Sequence, residues 1–548
     1  PLAQARPEQP RLPDRQIPEA PLPDQLLPTL PPPEELLPSV EPLPPENPST
    51  GTDATFLVRD IQITGSTVFS QADFADLIAP YLGRQVSFSE LLELRSASTE
   101  RYVTAGYVTS GAIIPPQALT SDTVTIQVIE GKLEDIVVTG LTRLNPAYVR
   151  SRIGLVSTPP LNLDRLLTGL QRLQLDPLVE TLAADLQAGN RPDTSILVVE
   201  VAEADSLAAS FSLDNSRPPS VGAAQRSLGL SEVNLSGLGD RIALAYDNTD
   251  GSSGFDLSYR VPVSPNNDTL LLRAGYSKSR VIDPAFDVLD ISSDGFYYEL
   301  GYRHPMLETP TQELALGLTL SHQQNQTRLG LDNIGPFPIS PGADSQGITQ
   351  VTALRFFQEW TQRSQNYVLA FRSQFSVGLD LLNATVNETG PDSRFLSWRG
   401  QGQWLQLLGP ETILLLRGDT QLSTDDLLSQ EEFGLGGAYS VRGYRQDILL
   451  RDNGTFLSAE LRLPIARMPQ LNGILQLTPF LDAGVAWNVR AGPSSPNTLV
   501  GTGLGLLWQQ GNALSARLDW GIPLIRLADN GHGLQESGIY YSIQYAFF

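Results

Sequence analysis

The sequence predicts a mainly β protein: a roughly 16-stranded antiparallel transmembrane β-barrel preceded by two small α+β domains of β-α-α-β-β order. Three observations carry that prediction. Helical periodicity stops near residue 205, and period-two alternation fills the rest of the chain. A block of strand, helices and strands then recurs upstream after about 75 residues, the signature of an internal repeat. No run of ~18 apolar residues occurs, so no transmembrane helix is expected.

Residues 1–54 read as a tether. Prolines recur every few positions, as in LPDRQIPEAPLPDQLLPTLPPPEELLP. That density opposes a continuous helix and favours extended polyproline segments. Two short apolar pieces, Gln25-Leu26-Leu27 and Glu35-Leu36-Leu37, are candidates to dock on another part of the chain. The chain starts at Pro1 and shows no basic-plus-apolar leader, a start compatible with a cleaved signal peptide.

Residues 55–131 form the first α+β block. FLVRDIQITGS alternates and ends in Gly65, which suits a strand and turn. QADFADLIAPYLG reads as a helix, and FSELLELRSASTERYVTAG as a second one ending at Gly106. In that second helix Leu91, Leu94, Ser98, Tyr102 and Ala105 share a face. Strands are expected near Val108–Ile114 and Thr123–Ile129. Residues 132–204 repeat the order, with IVVTG (Ile136–Gly140) echoing IQITG (Ile61–Gly65). A helix near Asn145–Ile153 is followed by one with Leu163, Leu166, Leu167, Leu170 and Leu173 on one face. Val179–Leu186 and Thr194–Val201 supply the last two strands. Each block has a three-stranded sheet, whose edges could accept another strand.

Residues 205–548 carry the barrel pattern. Phe255, Leu257, Tyr259 and Val261 alternate with Asp256, Ser258 and Arg260; Leu314, Leu316, Leu318 and Leu320 alternate with Ala315, Gly317, Thr319 and Ser321. At the C-terminal end Ile539, Tyr541, Ile543, Tyr545 and Phe547 share a face. A soluble sandwich with one polar face gives a similar pattern. The barrel is favoured because charged and small residues fill the second face strand after strand (Asp256, Arg260, Ser458, Glu460, Arg462, Arg517, Asp519), and because aromatics mark membrane interfaces.

Composition excludes several functions. Cysteine is absent, so thiolate metal sites and cysteine nucleophiles are out. His304, His322 and His532 are far apart and lack ligand spacing. The net charge of -23 would repel nucleic acid, and no G-x-x-x-x-G-K-[ST] motif is present. The acid pairs Asp425-Asp426 and Glu431-Glu432 read as solvated loop charges. No enzyme activity, metal or cofactor is expected.

The most informative stretch is GGAYSVRGYRQDILL, Gly436–Leu450. Its tip is Val441-Arg442-Gly443-Tyr444. In TFLSAELRLP, period two sends Ser458, Glu460 and Arg462 to the inner wall; in NGILQLTPFLDAGVAW it sends Phe480, Asp482 and Gly484 there. A partly dry carboxylate needs a partner, and the arginine fork binds carboxylate bidentately. Gly443 and the Gly436-Gly437 pair would let the loop turn back into the barrel. Two readings remain at this point: a latch that fixes the loop inside the pore on Asp482 or Glu460, or an exposed hairpin tip with a solvated arginine.

These residues resemble the outer-membrane transporters of two-partner secretion, the haemolysin secretion/activation type, in the superfamily that includes the barrel-assembly insertase. VRGY (Val441–Tyr444) resembles the signature of the pore-entering loop, FLDAG (Phe480–Gly484) the inner-wall motif whose aspartate pairs with that arginine, and AELRLP (Ala459–Pro464) the acidic motif of the preceding strand. Tyr102–Gln117 and VIEGKLEDI (Val128–Ile136) resemble a first POTRA domain running into a second, and Phe548 the aromatic end used in barrel assembly. The resemblance implies a channel that captures an unfolded exoprotein, an adhesin or haemolysin, in the periplasm and works without nucleotide. It also implies contact with outer-membrane lipids and, during biogenesis, with the barrel-assembly machinery. Two rival readings are a barrel-assembly insertase, which usually carries more than two POTRA domains, and a diffusion porin with a periplasmic accessory module, which a latched inner loop argues against. The family's N-terminal plug helix is not expected here, because proline crowds residues 1–54.

Overall fold

A computed structural model describes residues 33–37, 55–117, 122–490, 496–527 and 533–547. These fall into two compact units divided between Asp205 and Ser206. The first contains α1 (Pro33–Leu36), β1 (Thr55–Val58), β2 (Asp60–Thr64), α2 (Ala75–Ile78), β3 (Arg84–Ser87), α3 (Phe88–Thr104), β4 (Gly111–Ile113), β5 (Thr123–Ile129), β6 (Lys132–Thr139), α4 (Pro146–Val156), α5 (Leu163–Gln174), β7 (Val179–Ala188) and β8 (Thr194–Glu203).

The repeat is visible in the sheets. In the order β2-β5-β4, β2 runs parallel and β4 antiparallel to β5; in β6-β8-β7, β6 runs parallel and β7 antiparallel to β8. Both central strands bury one face, through Val124, Ile126 and Val128 in one and Leu197, Val199 and Val201 in the other. A carboxylate is repeated as well. Glu130 accepts from Thr67 and Val68 backbone N–H at 2.7 and 3.2 Å, and Glu203 accepts from Thr142, Arg143 and Leu144 at 2.7, 2.9 and 2.9 Å. Burial alone would raise both carboxyls, but these bonds outweigh it and hold them below the ordinary value.

α3 starts where a capping box stands, Ser87 accepting from Glu90 N–H and Glu90 from Ser87 N–H. It buries Leu91, Leu94, Ser98 and Tyr102. Each buried leucine contributes roughly 1.5–3 kcal/mol. The expected helix over QADFADLIAPYLG is broken into a 3-10 turn at Gln71–Phe74, α2, and a second 3-10 turn at Ala79–Tyr81. Pro80 lacks the N–H that would continue the helix. An extra antiparallel pair, β1 with β3, was not expected from sequence. The two halves meet at the C-terminus of α3: Gly106 carbonyl accepts from Leu163 N–H at 2.8 Å, and Asn162 donates to Ala105 carbonyl at 3.1 Å.

Of the two apolar pieces in the tether, Gln25–Leu27 and the rest of residues 1–32 lie outside the described residues. The other piece is docked. Leu36 and Leu37 are buried, and α1 packs against α5 and the edge strand β7.

The second unit is the barrel. Its strands are β9 (Leu207–Asp214), β10 (Gln225–Val233), β11 (Arg241–Asn248), β12 (Ser252–Pro262), β13 (Thr269–Arg280), β14 (Ile291–Glu308), β15 (Gln312–Leu329), the two-residue β16 (Gly335–Pro336), β17 (Ile348–Arg363), β18 (Tyr367–Leu379), β19 (Leu396–Gly409), β20 (Thr412–Ser423), β21 (Phe433–Leu435), β22 (Leu449–Arg451), β23 (Asn453–Met468), β24 (Gly473–Trp487), β25 (Thr498–Gln510), β26 (Leu514–Pro523) and β27 (Ile539–Ala546). β16 only caps the end of β15, and β21 pairs with β22 in the loop between β20 and β23. The other sixteen close the wall, all antiparallel, with β27 returning to β9. Leu257, Leu318, Leu457, Leu481 and Leu518 are exposed on the outside, while Ser458, Glu460, Asp482 and Asp519 are buried inside. Phe548 and His532 lie outside the described residues.

Candidate functional site

The site is the inner wall of β23 to β27 with the loop 424–452 folded onto it. The loop brings its own core. Phe433, Leu435, Val441, Tyr444 and Leu449 cluster with Phe456, Ala486 and Leu499 of the wall. Three glycines make room for this approach. A Cβ on Gly484 would stand 2.6 Å from Leu435 Cδ1, one on Gly501 would stand 1.9 Å from Arg442 carbonyl oxygen, and one on Gly521 would stand 2.5 Å from Gly443 nitrogen. Gly443 itself has φ +103, a conformation that favours glycine.

Arg442 is 1 % exposed. Its Nε and Nη2 donate to Asp482 Oδ2 and Oδ1 at 2.7 and 3.0 Å, the bidentate fork. Its backbone N–H also donates to Asp482, at 3.2 Å. Nη1 donates to Glu460 Oε2 at 2.8 Å and lies 3.4 Å from Asp519 Oδ2. The guanidinium carbon is 3.4 Å from the centre of the Phe480 ring, a cation–π contact. Arg517 bonds both Glu460, at 2.5 Å, and Asp519, at 2.7 Å, while Arg462 donates to Glu460 at 3.1 Å. Three guanidinium groups and three carboxylates thus share one buried cluster. Arg417 of β20, opposite Ser458 on the same wall, adds a fourth cation that faces these groups without a direct ion pair among the described residues. Ser458 donates to Asp482 at 2.6 Å.

The neighbours of Arg442 are fixed too. Val441 is fully buried. Gly443 N–H donates to Tyr540 Oη at 2.9 Å, and Tyr540 donates to Tyr444 carbonyl at 2.6 Å. Tyr444 Oη lies 2.8 Å from Ile525 carbonyl oxygen and 2.9 Å from that of Val500. The exposed-tip reading of Arg442 therefore does not describe this structure. All eight residues singled out from sequence (Val441, Arg442, Gly443, Tyr444, Glu460, Phe480, Asp482 and Gly484) meet the loop–wall contact. Asp482 holds Arg442 through two side-chain bonds and Glu460 through one.

Sequence reasoning missed a second clasp. Glu431, read as a solvated charge, is buried. Arg355 on β17 binds its two carboxylate oxygens at 2.8 and 3.2 Å, and Gln323 of β15 donates to it at 2.7 Å. The base of the loop is thus pinned to strands remote from β24, which holds the tip. Adjacency to Glu432 hid the burial, because one acid of a loop pair can turn inward. Asp425 and Asp426 are partly exposed, with Arg490 at 3.4 and 3.6 Å and Thr424 donating to Asp425 at 2.6 Å. Asp519 and Arg517 lie on the inner face that alternation predicts, but alternation alone does not join them to Arg442. Tyr540, Gly501 and Gly521 carried no signal beyond strand alternation.

An apolar outer wall, a charged lumen with a loop clasped to its inner side, and α+β modules before the first strand define an outer-membrane transport barrel. Residues 193–507 match the profile of the haemolysin secretion/activation protein ShlB/FhaC/HecB family, and residues 56–131 match the ShlB-type POTRA domain. The chain belongs to that haemolysin secretion/activation family. It is 24 % identical over 501 residues to the outer membrane transporter CdiB of Escherichia coli O6:K15:H31 (strain 536 / UPEC), covering 88 % of this chain and 81 % of the relative. It is 23 % identical over 412 residues to the heme/hemopexin transporter protein HuxB of Haemophilus influenzae (strain 86-028NP), covering 72 % and 70 %. The solved structure of CdiB from Escherichia coli aligns at a TM-score of 0.66 with 22 % identity over 92 % of both chains. The protein is an outer-membrane transporter of two-partner secretion, with its POTRA domains in the periplasm. Chain continuity then puts Leu207 of β9 at the periplasmic rim and Asp214 at the outer rim.

Proposed function

We propose that the protein recognises one unfolded exoprotein, an adhesin or haemolysin, in the periplasm and passes it through the barrel to the cell surface without nucleotide hydrolysis. In this reading residues 55–131 and 132–204 capture the substrate, residues 205–548 form the channel, and residues 1–54 are a tether. Backbone pairing at a POTRA sheet edge tolerates many sequences, as an unfolded substrate requires. The docked Leu36 and Leu37 support the view that the α5–β7 groove takes short apolar segments. Folding outside supplies direction, since burying the exoprotein's core opposes its return.

The observation that carries the reading is the buried Arg442 cluster. It fixes a loop inside the lumen through charge pairs that can exchange for water, so the loop is a resting-state closure that must leave during passage. A cysteine pair at Leu435 and Gly484 tests this, because a Cβ at position 484 meets the end of the Leu435 side chain; formation of the disulfide is first verified by non-reducing electrophoresis. Oxidised protein is expected to stop secreting and to recover on reduction. Equal secretion in both states would rule out loop release.

One observation favours a second reading. The barrel closes through a five-residue ladder, Ser542–Ala546 of β27 against Ser210–Asp214 of β9, extended by one backbone hydrogen bond at each end. A short seam suits an insertase that opens sideways.

A further inference from the structure

The lipid-facing wall of β10 to β13 is layered. Strand register places Arg226, Asn248, Ser253 and Lys278 in one row across the four strands, on the outer-rim side. The row below is Leu228, Tyr246, Phe255 and Tyr276, and the next is Leu230, Leu244, Leu257 and Ala274. Cations thus stand above aromatics, and aromatics above aliphatics. Aromatics prefer the level between headgroups and hydrocarbon, so the sequence of rows matches one leaflet.

The lowest row has a gap. Ala274 presents a methyl group where its neighbours present leucine. A slot of about 580 Å³ opens there, lined by Leu257, Phe255, Tyr276, Leu244 and Tyr246. That size lies within the range of small-molecule sites, ~300–1,000 Å³. Tyr246 and Phe255 brace one side, their ring centres 4.7 Å apart.

The charge above the slot is cationic and only partly satisfied. Lys278 has no ion-pair partner among the described residues, and its cross-strand neighbour Asp294 is already engaged by Arg328. Arg226 makes a single ion pair at 3.3 Å with the exposed Asp250. Three strand spacings separate Arg226 from Lys278, about 14 Å, and Lys278 stands four residues, about 14 Å, along the strand from Ala274. A headgroup of that breadth with several chains spans both cations and the slot.

We propose that this wall holds one anionic, acylated lipid of the outer leaflet, with a chain over Ala274 and its acidic head between Arg226 and Lys278. The test is native mass spectrometry of the full-length protein extracted from outer membranes in mild detergent, with the bound lipid identified by fragmentation. Wild type is expected to carry one anionic lipid. Ala274→Leu, which fills the slot, and Lys278→Glu, which reverses the charge, are each expected to cut that occupancy at least fivefold. Trp520→Leu, on the lipid face of β26, should leave it unchanged. Resistance of the folded barrel to heat in detergent reports that each variant is folded. Wild type without a retained lipid, a bound lipid that is zwitterionic only, or equal occupancy in Ala274→Leu and Lys278→Glu would each overturn the proposal.

Discussion

Arg442 connects the loop to the wall through both charge and shape, and its replacement separates the two. Arg442→Ala leaves Asp482 with Ser458 and the backbone N–H of position 442 as hydrogen-bond partners but with no ion-pair partner among the described residues, whereas Glu460 keeps Arg517 and Arg462. Breaking a buried pair on one side costs about 3–5 kcal/mol. The sixteen-stranded ladder does not depend on this pair, so the expected outcome is a folded barrel with weakened secretion and a lowered unfolding temperature. Arg442→Lys keeps the charge but cannot form the planar fork to Asp482. It is expected to behave like the alanine variant in a secretion assay; wild-type secretion by both would refute the latch. The arginine, its acids and its glycines were legible in sequence because period two sends Glu460, Phe480 and Asp482 to one face and a positive-φ turn needs Gly443. Glu431 was not legible, since nothing local distinguishes the acid that Arg355 takes from the one beside it. Gly501 and Gly521 looked like ordinary strand glycines, because the backbone they admit comes from more than 50 residues away in sequence.

At the scale of elements, alternation was enough to recover the strands but not their lengths. β14 and β15 each run for 18 residues, beyond the ten or so needed to cross a membrane, because their pairing continues past the hydrocarbon. α3 and α5 were readable from one-faced leucines and clear caps, whereas the helix around Pro80 broke at the residue that cannot donate. The docking of α1 was legible only as a possibility, since two leucines in a proline-rich stretch do not say which groove receives them. The closure of β27 on β9 is where the two transport readings part. Leu213 and Ile543 face each other across it. A disulfide between cysteines at these two positions is expected to leave secretion of the exoprotein unchanged, because the lumen route does not use the seam. Secretion that falls on oxidation and recovers on reduction would point to lateral opening instead.

At the scale of the whole molecule, the proposed channel acts by binding and release, with its direction set by folding of the exoprotein outside. The identity of the cargo is the part no residue pattern reveals, because backbone pairing at an edge strand reads little side-chain information. The most direct test of a dedicated secretion channel is therefore made in cells: deplete the protein and quantify the culture medium and the outer membrane by mass spectrometry. The account predicts loss of one or two large exoproteins from the medium with other outer-membrane barrels unchanged. A general fall in outer-membrane barrels would contradict it and assign the protein to barrel assembly.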